Sequence, residues 1–172
     1  MKTLYLFRHG KSDWEDYDGD DHERPISKRG EKAARTMGKL LALSGRVPDS
    51  IVTSSAVRAK TTVETAARAG GWRAPVRITR ALYEAAPEAV LEEVRAEPAG
   101  TDTLLLAGHE PTWSELASLL IGGGNIGMPT GAVAAIELEI DSWKAVAGGK
   151  GRLLWLLVPK FFTEGSFDLA GK

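Results

Sequence analysis

The order of apolar and polar runs along the chain predicts strands that alternate with helices. Short apolar runs typical of buried strands occur at residues 4–7, 51–52 and 103–107, with a weaker run at 76–79. Apolar residues at helical spacing predict the four intervening helices, which extend from the N-cap Ser27 to Ser44, from about Val57 to Gly70, from Pro87 to Pro98, and from about Pro111 onwards. This alternation indicates a mainly parallel sheet.

The last third of the chain has a different pattern. A glycine-rich segment, residues 122–131, interrupts the helical spacing, and β-rich runs at 133–140 and 152–158 follow it. These runs predict an antiparallel strand pair, whereas the tail at 159–172 has no clear pattern. We therefore predict one domain over residues 1–172, a three-layer α/β/α sandwich with a mainly parallel central sheet and an antiparallel addition near the carboxyl end.

Composition and charge narrow the classes of function. The 22 lysines and arginines nearly balance the 23 aspartates and glutamates, which argues against nucleic acid as a partner. The absence of cysteine excludes disulfides, thiolate metal sites and a cysteine nucleophile. No signal-peptide pattern opens the sequence, and no apolar run is long enough to span a bilayer. We expect a soluble, cytoplasmic protein with no membrane partner.

Cationic or potentially cationic side chains stand where the predicted strands end. Arg8 and His9 directly follow the first strand, and His109 follows the strand at 103–107. Arg58 lies in the first turn of the helix after the second strand. Ligands of open α/β sheets collect at strand ends, and arginine forks match phosphate oxygens. The pattern predicts a phosphate site in which an imidazole can act as a base or a nucleophile without a metal.

The loop after the first strand completes this predicted site. Gly10 would let the backbone turn tightly or approach a ligand closely, and Ser12 adds a hydroxyl donor. Ser54 and Ser55 precede a helix start, where backbone N–H groups attract anions.

Taken in order, three motifs resemble the histidine phosphatase superfamily, also called the phosphoglycerate-mutase-like family, and the resemblance spans Thr3 to about Val158. The motifs are Arg8-His9-Gly10, Ser54-Ser55 with Arg58 and Thr61, and Gly108-His109-Glu110-Pro111. Further segments resemble its SixA-type phosphohistidine phosphatase branch: residues 8–14, Arg24-Pro25-Ile26 and Arg29-Gly30.

The resemblance implies a phosphatase that needs neither metal nor cofactor. In such an enzyme His9 attacks phosphorus and is transiently phosphorylated, and water then hydrolyses the phosphoenzyme. Arg8, Arg58 and His109 bind the phosphoryl oxygens. The family also implies an acid that protonates the leaving group, for which Glu84 is the expected position. Three other carboxylates are alternatives for this acid: Asp13, Asp21 and Glu110.

The expected substrate is a phosphorylated protein side chain, above all phosphohistidine. Spacing between the predicted elements is short, which favours an open, shallow cleft that admits a protein surface. A small phosphorylated metabolite, handled by a phosphatase or a mutase of the same superfamily, is the alternative. A phosphate-binding module without catalysis is a third interpretation, although binding alone would not need two histidines at strand ends.

Two further patterns suggest metal sites and are rejected. Residues 12–24 are rich in acid and lack apolar periodicity, which predicts an exposed loop. Asp16, Asp18 and Asp20 imitate the opening of a calcium loop, but Asp21 stands where that loop needs glycine. The pair His109-Glu110 begins a zinc-protease motif that lacks its second histidine.

Overall fold

A six-stranded mixed sheet forms the centre of the fold in the computed structural model, which describes residues 1–14 and 17–164. Its strands are β1 (Lys2–Arg8), β2 (Ser50–Ser54), β3 (Val76–Thr79), β4 (Thr103–Gly108), β5 (Val133–Leu138) and β6 (Gly151–Leu157). The spatial order is β3-β2-β4-β1-β5-β6. The first four strands pair in parallel, and β5 and β6 are added antiparallel beside β1. The predicted sheet architecture is confirmed.

Five helices connect or flank the strands. They are α1 (Lys28–Leu43), α2 (Val57–Gly70), α3 (Pro87–Arg95), α4 (Thr112–Leu120) and α5 (Pro159–Thr163). Ser27 is the N-cap of α1, as predicted, and its side chain accepts a hydrogen bond from the backbone N–H of Gly30 at 3.1 Å. The short helix α5 lies in the tail at 159–172, where the residue pattern predicted no element. Among the described residues, no helix is long and apolar enough to cross a membrane.

The two faces of the sheet bury separate apolar layers, as strand alternation requires. Leu4 and Leu6 of β1 belong to the layer that includes Trp113 and residues of α3 and α4. Tyr5 and Phe7 of β1 belong to the opposite layer, formed with α1 and α2. The helices therefore lie on both faces, which confirms the three-layer prediction. One domain over residues 1–172 stays a prediction.

The register of β1 and β4 brings two distant parts of the sequence together. Arg8 is paired with Gly108, and the backbone N–H of His9 donates to the carbonyl of Gly108 at 3.0 Å. The residues that follow the two strands, His9 and His109, therefore lie side by side. Since β2 pairs with β4 on its other side, the end of β2 reaches the same edge. The parallel core of the sheet thus gathers three chain segments into one place.

The prediction of an exposed loop over residues 12–24 is wrong for parts of that segment. Ser12 forms an isolated bridge with Ile26 and is buried. A 3-10 turn, Asp21–Glu23, follows, and Arg24 is only 5% exposed. Arg24 is buried because the Asp21 carboxylate pairs with it and the ring of Trp14 packs on its guanidinium. Asp16, considered for a calcium loop, lies outside the described residues. Over residues 1–14 and 17–164, no three His, Asp or Glu side chains are grouped as a metal site.

Candidate active site

His9 is held in one tautomer by its own loop. Its Nδ1 lies 2.7 Å from the carbonyl oxygen of Gly10, which can only accept, so Nδ1 carries the proton. The lone pair is therefore on Nε2. Burial lowers the pKa of His9 to about 4, and the charges of Arg58 and Arg8 act in the same direction, while the bond to Gly10 opposes them. At neutral pH the ring is an uncharged nucleophile.

Close backbone packing fixes the loop that carries His9. A Cβ on Gly10 would lie 2.8 Å from the carbonyl oxygen of Gly30, so the two glycines allow α1 to approach the loop. The N–H of Gly10 donates to Oγ1 of Thr62 at 2.9 Å, and that hydroxyl donates to the carbonyl of Arg58 at 2.7 Å. Gly10 is thus a site of close approach to α1, its predicted close approach to a ligand stays a prediction, and the same contacts connect the loop to α2.

Arg8 and Arg58 present unsatisfied N–H groups. One Nη of Arg8 donates to the carbonyl of Met128 at 2.7 Å. The Nε atoms of Arg8 and Arg58 are both buried without a hydrogen-bond partner within the described part of the chain. A buried donor without a partner costs about 1–3 kcal/mol, so an acceptor is expected there when the site is occupied. Two such donors suit an anion.

His109 stands opposite His9 as a second neutral imidazole. The ring centroids are 5.2 Å apart, and Nε2 of His109 lies 2.8 Å from Oγ of Ser54. Its Nδ1 is buried with no partner among the residues described. Burial lowers the pKa of His109 to about 3, with further contributions from His9 and Arg58. This ring can donate one hydrogen bond at neutral pH while carrying no charge.

The structure brings five of the predicted site residues to one cavity, whose lining includes neither Gly10 nor Glu84. Arg8, His9, Ser12, Arg58 and His109 line a cavity of about 500 Å³. Glu84 lines a neighbouring cleft of about 550 Å³, which shares the last two of these residues with the first cavity. The backbone of Glu84 has a φ of 54°, a conformation that is uncommon for a residue other than glycine.

Arg24 is a site residue to which the sequence analysis gave no role, and Asp21 is one that it gave only as an alternative acid. Arg24 lines the cavity of His9, and its guanidinium lies 3.6 Å from the ring centroid of Trp14. Asp21 binds both Arg24 and Arg58 through its carboxylate. The motif Arg24-Pro25-Ile26 was a signal for the first of these residues. No pattern distinguished Asp21 from the other carboxylates of its segment.

Asp21 is a permanent anion in this environment. Burial raises the pKa of its carboxyl, but hydrogen bonds from Arg24 and Tyr83 and the nearby Arg58 outweigh that effect and lower it to about 2. A carboxyl with this pKa carries no proton at neutral pH. Asp21, one of the alternatives considered for the acid, is therefore unsuited to protonate a leaving group.

Comparison with known proteins gives one family. A model described as "Histidine phosphatase superfamily (branch 1)" matches residues 4–97. An uncharacterised protein of Mycobacterium tuberculosis is 34% identical over 163 residues, which cover 89% of this chain and 99% of that protein.

Solved structures share the fold over nearly the whole chain. The protein histidine phosphatase SixA complexed with tungstate has a TM-score of 0.80 at 21% identity, covering 94% of this chain and 99% of that one. A structure described as a candidate phosphohistidine phosphatase SixA from Nakamurella multipartitia has a TM-score of 0.75 at 28% identity, covering 92% and 96%. Mycobacterial glucosyl-3-phosphoglycerate phosphatase has a TM-score of 0.65 at 16% identity, covering 89% and 97%.

Proposed function

The chain belongs to the histidine phosphatase superfamily, and we propose that it is a protein phosphohistidine phosphatase that works through a phosphorylated His9. One observation carries the proposal. The Nδ1–H of His9 donates to its own loop, which leaves the Nε2 lone pair free. The ring of His9 lines a cavity together with Arg8 and Arg58, whose buried Nε–H groups have no partner among the described residues. A nucleophile and an oxyanion site thus occur together.

In the proposed first step, the Nε2 lone pair of His9 attacks phosphorus while the bond between phosphorus and the leaving group breaks. The leaving nitrogen or oxygen keeps that electron pair and receives a proton. Water then attacks the phosphoenzyme, the bond from phosphorus to Nε2 breaks, and inorganic phosphate leaves. Breaking that bond returns the electron pair to Nε2, so the second step restores the neutral His9 that its environment favours.

Charge on the transferring phosphoryl group is the main barrier that the site has to lower. Arg8 and Arg58 supply the free Nε–H groups, and His109 supplies a neutral Nδ1–H. Arg24 adds a third guanidinium to the same cavity. These donors are fixed before substrate arrives, so little reorganisation is needed as charge develops on the equatorial oxygens.

Glu84 is the proposed proton donor for leaving groups that need one. It lines the cleft that adjoins the His9 cavity at Arg58 and His109. An imidazole departs more readily than an alkoxide, so phosphohistidine requires less help from an acid than a phosphate ester does. We therefore assign Glu84 a larger role with esters than with phosphohistidine.

The substrate assignment is supported by the mouth of the cavity and by the neighbours. Trp14 lines this cavity and is 67% exposed, so the cavity meets solvent there, as a substrate side chain on a protein surface requires. Two of the similar structures are described as SixA phosphohistidine phosphatases. A small phosphorylated metabolite is the second candidate, supported by the similarity to glucosyl-3-phosphoglycerate phosphatase.

The decisive experiment is rapid mixing of wild type and His9→Ala with a radiolabelled phosphohistidine peptide, followed by a quench in base. We expect acid-labile, base-stable label on wild type alone, with or without EDTA. Turnover of the peptide should also exceed that of 3-phosphoglycerate. Label on His9→Ala would contradict the assignment of His9 as the nucleophile. Loss of turnover with EDTA would contradict a reaction that needs no metal. Preference for 3-phosphoglycerate would favour the small-metabolite candidate.

A further inference from the structure

The Asp21 carboxylate joins two arginines of the cavity. Oδ1 accepts from Nε and Nη2 of Arg24 at 3.2 and 2.9 Å, and Oδ2 accepts from Nη2 of Arg58 at 2.9 Å. The backbone carbonyl of Asp21 accepts from Nη1 of Arg58 at 2.5 Å. Asp21 itself lines the cleft of Glu84 and not the cavity of His9. It therefore binds the arginines from the neighbouring cleft.

The contacts of Asp21 with Arg58 leave one edge of that guanidinium available. Asp21 uses both Nη atoms, whereas the buried Nε has no partner among the described residues. The edge formed by Nε–H and the second hydrogen of one Nη can thus bind two oxygens of a tetrahedral anion. A carboxylate that merely took the place of a phosphoryl group would lie in the cavity with His9 instead.

Contacts other than those with the guanidinium groups also hold Asp21 in place. The hydroxyl of Tyr83 donates to Oδ2 at 3.0 Å. The backbone carbonyl of Asp21 closes the 3-10 turn by accepting from the N–H of Arg24 at 3.3 Å, and Asp20 caps that turn through the N–H of His22. These contacts thus fix Asp21 where the acidic segment meets the loop after β3.

From these contacts we propose that Asp21 is a positioning residue, which orients Arg24 and Arg58 so that their remaining N–H groups converge on the phosphoryl oxygens. The inference rests on the proposed function, because that function identifies the bound group as a phosphoryl oxyanion. The proposal gives the acidic segment a part in catalysis. The negative charge of Asp21 repels an anion bound nearby, so the improved geometry of the arginines has to outweigh that repulsion.

Asp21→Asn tests the proposal in the full-length protein, with tungstate as the probe of the oxyanion site. An amide keeps the shape, but its NH2 group places donors against the N–H groups of one of the two arginines, where the carboxylate had placed an acceptor. We expect the dissociation constant of tungstate to rise about 10-fold and kcat/KM for a phosphohistidine peptide to fall about 100-fold, the range found when a preorganised oxyanion donor is lost. Because the substrate anion and the transition state share these donors, KM should rise as kcat falls.

Asp18→Asn is the matched control, since it removes the same charge from an exposed position of the same segment. For this variant, the dissociation constant of tungstate and kcat/KM for the peptide should both stay within about twofold of wild type. Tighter tungstate binding by Asp21→Asn would overturn the proposal, because the carboxylate would then be a competitor of the anion. An equal effect of Asp18→Asn would overturn it as well, since net charge alone would then explain the loss.

Tyr83→Phe keeps the proposal testable if Asp21→Asn does not fold. It removes one hydrogen bond to Oδ2 and retains the ring and the charge. Tungstate binding should weaken about threefold, which corresponds to part of one hydrogen bond. Unchanged binding by this folded variant would overturn the proposal. Failure of wild type to bind tungstate is a different result, because it would contradict the proposed function rather than the role of Asp21.

Discussion

Oγ of Ser54 and Nε2 of His109 lie 2.8 Å apart, and both side chains are buried. Oγ also accepts from the backbone N–H of Ala56 at 3.3 Å, so among the described residues Nε2 is the acceptor left for the hydroxyl proton. The proton of His109 is then on Nδ1, the buried atom that lacks a partner. Ser54 thereby leaves a neutral imidazole with one N–H that is free to donate.

Ser54→Ala is expected to lower kcat/KM for a phosphohistidine peptide by about 10-fold, the effect of one well-placed hydrogen bond. Without the hydroxyl, His109 can place its proton on either nitrogen. Nitrogen-15 NMR of the imidazole would report the mixed tautomers directly. Ser55→Ala is the control, because that hydroxyl bonds to His22 instead. An equal loss in Ser55→Ala would contradict the assignment.

Acid is expected to inactivate the enzyme only when His9 becomes protonated. Burial first, and then the neighbouring arginines, lower the pKa of His9 from 6.5 to about 4, so Nε2 keeps its lone pair until the pH falls through that value. Below it the nucleophile is lost. An NMR titration of His9 should give a midpoint near pH 4 in the folded protein, and near the ordinary histidine value in urea. A midpoint of 6.5 in the folded state would contradict this.

The lowered pKa of His9 also has a consequence for folding stability. Between pH 6.5 and 4 the unfolded chain binds a proton that the folded chain excludes. The free energy of unfolding should therefore decrease as pH falls through this window, and should do so less in His9→Ala. Urea denaturation at several pH values would measure the difference. Equal pH dependence in both proteins would contradict the shift.

Gly30→Ala should destabilise the fold and disturb the nucleophile together. A Cβ at Gly30 would overlap the carbonyl oxygen of Lys11 in the loop that follows His9. The free energy of unfolding should fall by about 1–3 kcal/mol, as for other overpacked sites, and kcat/KM should fall as well. Gly100→Ala has no atom within 4 Å of the new Cβ and should change stability by less than about 0.5 kcal/mol. Urea denaturation and steady-state kinetics check both.

Glu84→Gln should separate the two classes of substrate. Turnover of phosphohistidine should fall less than about threefold, whereas an alkyl phosphate, whose alkoxide needs a proton, should lose about 100-fold. Glu115→Gln alters another carboxylate of the same cleft and should affect neither substrate. Equal losses for both substrates in Glu84→Gln would show that its role is not proton donation.

The parts of the site that could be predicted from the sequence are those that local pattern determines. Strand-length apolar runs ended at Arg8 and before His109, and a helix start marked Arg58, so each residue had a predictable place in its own element. A parallel sheet then brings such ends to one edge. The strand order itself could not be predicted, because an apolar run indicates a buried strand but not which other strands it pairs with.

Asp21 illustrates what the sequence could not predict. Residues 12–24 contain many carboxylates without periodicity, and nothing local distinguishes the one that meets Arg24, Arg58 and Tyr83. The structural role of a charge depends on the cations that other elements place around it. The same reason applies to Ser54, whose partner His109 is 55 residues away in the chain.

The two histidines project from β1 and β4, the innermost strands of the sheet, whereas Asp21 belongs to a short turn held by side-chain contacts. Native proteins open at the periphery at lower free energy than at the core. On warming, Arg24 and Arg58 should therefore lose their alignment before the backbone around His9 unfolds. Activity should then disappear below the temperature at which the sheet melts. The amide hydrogen of His9, bonded to Gly108, should exchange with solvent only when the whole domain unfolds.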